Sequence, residues 1–305
     1  MTASGTLWAW FLPALLTLFF YGIGQGLVKK WVADVPPARF CLYFVAAKSL
    51  VNLGYVASQG KLDLTNPDGF VFLGIGIFAF MLDGLGWILY FQSIVYGPIT
   101  IVGTLSAAYP ALTAVFAGVF LGEQLIPLHY GAVAVVIAGC IGLSYDPSGS
   151  AVSATSQKIS RRWIPLAAAA LVLWATTQTI SKYTYTLPMA SEGGLALCNT
   201  IGGLLTLGVY GVLRGWKLPE GEIKVKGEWL RSFLPMGLMA AGDLGVIIAN
   251  KFGPISLVTP ITGAYPVVTL AFAALVLREK VGRFQWFCVA LILVGMQLVT
   301  YTPSS

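Results

Sequence analysis

Ten stretches of this chain are apolar for long enough to cross a lipid bilayer: residues 8–29, 39–57, 70–94, 98–121, 127–145, 163–183, 194–213, 231–250, 254–277 and 284–301. The hydrocarbon core of a bilayer is about 30 Å thick and takes about 20 apolar residues per helix. Inside it each backbone N–H and C=O must find a protein partner, which a helix supplies within itself. The expected fold is therefore an all-α integral membrane protein of ten transmembrane helices, with no room for a large soluble domain. Composition agrees, since 57% of the 305 residues are hydrophobic and only 10% are charged. The net charge of +6 is scattered over a few loops. Without a continuous basic face, nucleic acid is not an expected partner. The first stretch lacks a basic run before it and is too long for a signal peptide, so it is expected to remain as a helix. Cys41, Cys140, Cys198 and Cys288 each sit in an apolar run and none forms a CxxC. That argues against a disulfide framework or a zinc site, and no cofactor is expected. Trp8, Trp10, Trp31, Trp163, Trp216, Trp229 and Trp286 fall near the ends of stretches, as an interfacial belt requires, while Trp87 and Trp174 do not.

The second constraint is an internal repeat. Residues 97–145 align with 253–301 without a gap, with 16 identities in 49 positions, where this composition gives about four by chance. Gly97-Pro98-Ile99 meets Gly253-Pro254-Ile255, Tyr109-Pro110 meets Tyr265-Pro266, Glu123 meets Glu279, and Gly139 meets Gly295. In the first stretch of each half, Gln25 pairs with Gln178 and Lys29 with Lys182. The expected organisation is a first five-helix repeat at 1–148, a connector at 149–162 and a second five-helix repeat at 163–305. Five is odd, so the second repeat enters from the opposite side. Such inverted repeats are typical of secondary transporters, in which they rock about a central site.

These residues resemble the drug/metabolite transporter superfamily, EamA type. The resemblance rests on Trp174 followed by Lys182, on Tyr109-Pro110 through Gly122-Glu123, and on their counterparts Tyr265-Pro266 through Arg278-Glu279. It departs at Tyr21-Gly22, where the family often has Trp-Gly, and at Arg278, where a Gly commonly precedes the Glu. It implies a central cavity walled by helices one to four and six to nine. The fifth and tenth are then peripheral and linked to dimer contacts, so the protein is expected as a monomer or homodimer.

Ionisable groups at mid-membrane are costly and usually face a cavity or a partner. Helical spacing gathers the polar residues into stripes: Lys48, Asn52 and Tyr55; Asp83, Trp87 and Tyr90; Asp243 and Asn250; Gln25 and Lys29 beside Tyr21; Trp174, Gln178 and Lys182. Such stripes suit a small solute with charged and apolar parts. For Lys48 and Asp83 the competing reading is a purely structural ion pair, while Asp243 has no obvious partner in sequence. For Lys29 and Lys182 the competing reading is snorkelling to the headgroups. Pro110 and Pro266 interrupt the helical ladder. They and the preceding Tyr109 and Tyr265 are candidate gates, or else the prolines mark fixed kinks. GxxxG pairs at Gly22/Gly26, Gly118/Gly122 and Gly211/Gly215 are a weak signal for close helix packing.

The expected function is alternating-access transport of a small polar metabolite across a bacterial inner (plasma) membrane. An amino acid or other zwitterion is favoured, and the alternative is an anionic or phosphorylated metabolite. Proton coupling through Asp83 or Asp243 is open, because a carboxylate in low dielectric holds its proton more tightly than in water. An intramembrane aspartyl enzyme lacks its sequence context, and a channel lacks a filter. Basic residues number 14 in the loops facing away from the termini and 3 in those beside them. Positive-inside bias therefore expects both termini outside the cytoplasm, whereas the resemblance implies the reverse.

Overall fold

The computed structural model describes residues 3–32, 35–60, 66–96, 109–144, 162–215, 225–278 and 282–299, and these contain helices and turns but no strand. The helices are α1 (Ala3–Trp31), α2 (Pro37–Gln59), α3 (Phe70–Tyr96), α4 (Tyr109–Leu121), α5 (Pro127–Ser144), α6 (Trp163–Thr184), α7 (Glu192–Gly203), α8 (Val209–Gly215), α9 (Val225–Phe252), α10 (Ile255–Gly263), α11 (Pro266–Leu275) and α12 (Arg283–Val299). Among the described residues, seven spans are long and apolar enough to cross a membrane: Leu7–Val28, Pro37–Gln59, Pro67–Ser93, Trp163–Thr184, Glu192–Gly215, Gly227–Phe252 and Ile255–Leu275. Tyr109–Leu121, Pro127–Gly142 and Arg283–Leu298 are shorter apolar helices. The Gly97-Pro98 turn, Glu279 and the connector 149–161 lie outside the described residues, as does the side chain of Lys29.

Local chemistry sets the helix ends. Pro37, Pro127 and Pro266 stand in first turns, where a missing N–H costs no hydrogen bond. Gly60 closes α2 at φ 62°, the left-handed region open to glycine. Ser191 caps α7 by accepting the Gly194 N–H at 3.1 Å. Two stretches are less regular than expected. The seventh contains a π-turn over Leu204–Gly208, where Thr206 Oγ1 donates to Gly202 O at 2.7 Å. The ninth is broken outright: α10 stops at Gly263 and α11 restarts at Pro266, leaving Tyr265 on the break. Pro266, which has no N–H to give the preceding turn, stands at a helix break here, where a bend was expected.

Large apolar side chains remain on the outer surface, Leu230 at 82% and Leu275 at 80% exposure among them. In water such a surface would aggregate, whereas lipid covers it without cost.

The halves exchange helices. The third helix of the second half, α9, packs against α1 and α2 of the first. The third helix of the first half, α3, packs against α6 and α7 of the second. The contacts are reciprocal residue by residue. A Cβ on Gly86 (α3) would fall 2.8 Å from Trp174 Nε1 (α6), and one on Gly242 (α9) 2.7 Å from Tyr21 Cδ1 (α1). Likewise a Cβ on Gly139 (α5) would fall 2.5 Å from Ile292 Cγ1 (α12), and one on Gly295 2.7 Å from Val136 Cγ2. Only glycine permits these approaches. The facing helices run antiparallel, because Gly142, further along α5, meets the earlier Cys288 and Phe284 of α12. Along α1, Trp10 meets Gly253, Thr17 meets Gly245, and Tyr21 meets Gly242. Of the GxxxG pairs, Gly22/Gly26 abut Val268 and Phe272 of α11, and Gly211/Gly215 abut Leu42 and Arg39 of α2. Gly118/Gly122 have no such close neighbour.

Candidate functional site

The centre of the molecule holds a cavity of about 90 Å³. That is room for several waters at roughly 10–15 Å³ each. Its walls come from both halves. They are Tyr21 and Gln25 of α1, Lys48 of α2, and Phe80, Asp83 and Trp87 of α3. Trp174, Thr177, Gln178 and Ser181 of α6 continue them, with Met239, Asp243, Val246, Ile247 and Asn250 of α9. Tyr109, Asn199 and the break residue Tyr265 complete the lining.

Charge is concentrated at one point. Lys48 is 1% exposed, and its Nζ lies 3.0 Å from Asp83 Oδ2 and 2.8 Å from Asp243 Oδ2. The second Asp243 oxygen accepts a hydrogen bond from the Tyr21 hydroxyl. The Phe44 ring lies 4.9 Å from the ammonium, a cation–π contact. Asp243 therefore has the partner that sequence did not reveal, and Lys48 serves two carboxylates rather than one. One cation between two anions leaves the cluster with one formal negative charge.

Around it stands an aromatic wall. Trp87 and Trp174 meet at a centroid distance of 5.2 Å, and Tyr90 meets Trp174 at 5.3 Å. Tyr109 meets Trp174 at 6.1 Å, and Tyr21 meets Tyr265 at 5.8 Å. Edge-on packing of this kind presents both ring edges and electron-rich faces to whatever enters. The amides form a third feature. Asn250 Nδ2 donates to Gln178 Oε1 at 3.0 Å, joining α9 to α6. Asn52 and Asn199 are buried, and neither amide has a hydrogen-bond partner among the described residues. The indole Nε1 of Trp174 and Oδ1 of Asn250 are also unmatched. Buried polar atoms normally find partners, so such a cluster asks for water or solute.

Of the residues expected from sequence, Gln25, Lys48, Asp83, Trp87, Trp174, Gln178, Asp243 and Asn250 line the cavity together with Tyr109 and Tyr265. Asn52, Tyr55 and Tyr90 are not among its lining residues, although Tyr90 packs on the two tryptophans. Pro110 abuts Gly263 of α10, and Pro266 begins α11. Lys182 is not brought to the cavity. Its Nζ donates to the carbonyls of Asn250 at 2.6 Å and Gly253 at 2.7 Å, at the C-terminal end of α9. Sequence reasoning missed Asn199, Thr177 and Ser181, which carry no charge to mark them in an apolar run.

One solved structure, described only as the crystal structure of a protein, superposes with TM-score 0.74 at 20% identity, over 98% of this chain and 99% of its own. It shares the fold. No curated protein matches the sequence. The sequence profile of the EamA-like transporter family matches residues 8–145 and again 161–301, one match in each half. With both halves matched and the cavity built between them, the chain belongs to the EamA-like family of membrane transporters.

Proposed function

We propose that the protein carries a small polar organic solute with a positive centre, an amino acid or other zwitterion, by alternating access. The observation that carries this reading is Lys48 held between Asp83 and Asp243. Asp243 belongs to α9, which packs with α1 and α2, whereas Asp83 belongs to α3, which packs with α6 and α7. Lys48 stands on α2, which packs on both α9 and α7, so separating α3 from α9 requires Lys48 to leave one of its two carboxylates. A substrate ammonium, or a proton, arriving at the surplus carboxylate replaces what Lys48 gives up. A zwitterion's carboxylate then meets the released ammonium, and the aromatic wall takes its apolar part. An anionic metabolite fits less well, because Lys48 is already neutralised and Lys182 is held on carbonyls. In the same reading the chain crosses the membrane ten times and its halves enter in opposite senses, as the antiparallel reciprocal contacts favour.

The test is a thermal-shift panel on purified protein with amino acids, organic amines, sugar phosphates and nucleosides. Ligand at a hundred times its Kd stabilises the folded state by about 2.7 kcal/mol. A zwitterion or amine that raises the melting temperature of the wild type, and fails to do so in Asp83→Asn, is the expected result. A phosphate or carboxylate ligand whose shift survives in Asp83→Asn would overturn it.

A further inference from the structure

The turn joining α9 to α10 is gripped at both of its polar ends by side chains from the opposing group of helices. Lys182, at the end of α6, donates to the Asn250 and Gly253 carbonyls at 2.6 and 2.7 Å. Glu123, just past α4, accepts from Ile255 N at 2.9 Å, Ser256 N at 3.0 Å and Ser256 Oγ at 2.6 Å. A helix end carries orphan carbonyls and partial negative charge, and a helix start carries orphan N–H groups and partial positive charge. The ammonium and the carboxylate each meet the end of opposite sign. Gly122 makes this possible: its φ of 68° turns the chain out of α4, and Glu123 N closes back on Ala117 O at 3.2 Å. Tyr185 adds a third side chain to the crossing, donating to Ile247 O at 2.7 Å.

We infer that Glu123 and Lys182 are the latch that keeps this end of the cavity shut. Asn250 belongs to the cavity wall, and its carbonyl is one of the latched groups. The latch ties the end of α6 and the end of α4 to the α9–α10 turn, and it is the α6–α9 side of this boundary that alternating access must open. The inference rests on the alternating-access reading. Because Lys182 faces carbonyls and Glu123 faces N–H groups, exchanging the two charges sets each against backbone of its own sign and does not restore the latch.

Ser181 lines the cavity one residue before Lys182. Its replacement by cysteine gives a reporter, and native Cys41, buried in the core of α2, gives an internal reference. The experiment measures the rate at which a small charged methanethiosulfonate modifies each thiol in the intact detergent-purified protein. The expected result is at least a ten-fold faster reaction at position 181 in Glu123→Gln and in Lys182→Met, with Cys41 unchanged and no rescue in the charge-exchanged double variant. Unchanged rates at 181 in both variants would overturn the latch, as would a parallel rise at Cys41, which would mean general loosening. A thermal-shift ligand retained alongside such a failure would leave the transport reading standing and remove the latch alone.

Discussion

Lys48 sets the energetics at the level of single residues. Removing one member of a buried ion pair costs about 3–5 kcal/mol, because the charge left behind has no water. Here it would leave two carboxylates sharing one cavity. Lys48→Met is therefore expected to fall by at least that much in stability, read as a large drop in melting temperature or loss of folded protein. Asp83→Asn keeps Lys48 and Asp243 as a balanced pair and is expected to be much milder. The triple variant Lys48→Met/Asp83→Asn/Asp243→Asn should recover most of the stability without recovering ligand binding. A fully stable Lys48→Met would show that the cluster is not bound by charge. Sequence located the members of this cluster because ionisable residues in apolar stretches are conspicuous. It did not show that Lys48 lies between both acids, because that depends on α2 packing across the halves onto α9. Asn199 was invisible for the opposite reason: a neutral amide among Leu195, Ala196 and Cys198 carries no such mark. Lys182 shares a helix face with Trp174 and Gln178, but its stem carries the ammonium past the cavity to the helix end.

Among elements, the contact of α5 with α12 is the cleanest instance of packing by small residues. Without a hydrophobic drive between helices in lipid, close van der Waals approach holds them together. Gly139 and Gly295 supply it symmetrically, and Ala132 and Cys288, equivalent in the repeat, place their carbonyl oxygens 3.0 Å from the missing Cβ positions. Gly139→Val adds bulk where the neighbouring backbone cannot give way. Overpacking of this kind costs about 1–3 kcal/mol. The expected outcome is a lower melting temperature with the central ligand shift preserved, since neither helix lines the cavity. An unchanged melting temperature would mean that the two helices separate freely. Where both ends are described, the apolar stretches were legible in the sequence to within a few residues, while the start of the expected 98–121 stretch lies outside the described residues. The stop at Gly263 and restart at Pro266 were not, because a proline in an apolar run reads equally as a bend or a break.

At the scale of the whole molecule, the repeat in the sequence anticipates two matching halves but not their interleaving. Identity between Tyr109-Pro110 and Tyr265-Pro266 says that two units are alike, and only contacts show which helices they trade. Orientation in the membrane is testable with the same buried cysteines as a silent background. Thr186, after α6, and Arg283, at the start of α12, are exposed on opposite faces if ten spans are crossed in turn. From the basic-residue count we expect Thr186→Cys to react with an impermeant thiol reagent in intact cells. Arg283→Cys should react only after permeabilisation. The reverse pattern would place both termini in the cytoplasm and set charge bias aside.

The exchange of helices also fixes an order in time. About 190 residues separate the end of α1 from the start of α9. Synthesis at roughly 5–20 residues per second makes that about 10–40 seconds. Through that interval the first helix is already made while its lasting neighbour is not. Thr17, whose hydroxyl finally donates to the Gly242 carbonyl, and Tyr21, whose hydroxyl finally reaches Asp243, must be accommodated by lipid headgroups, by a borrowed helix or by the insertion machinery. Maturation of this protein is therefore a late event, completed only when the second half has been threaded past the first.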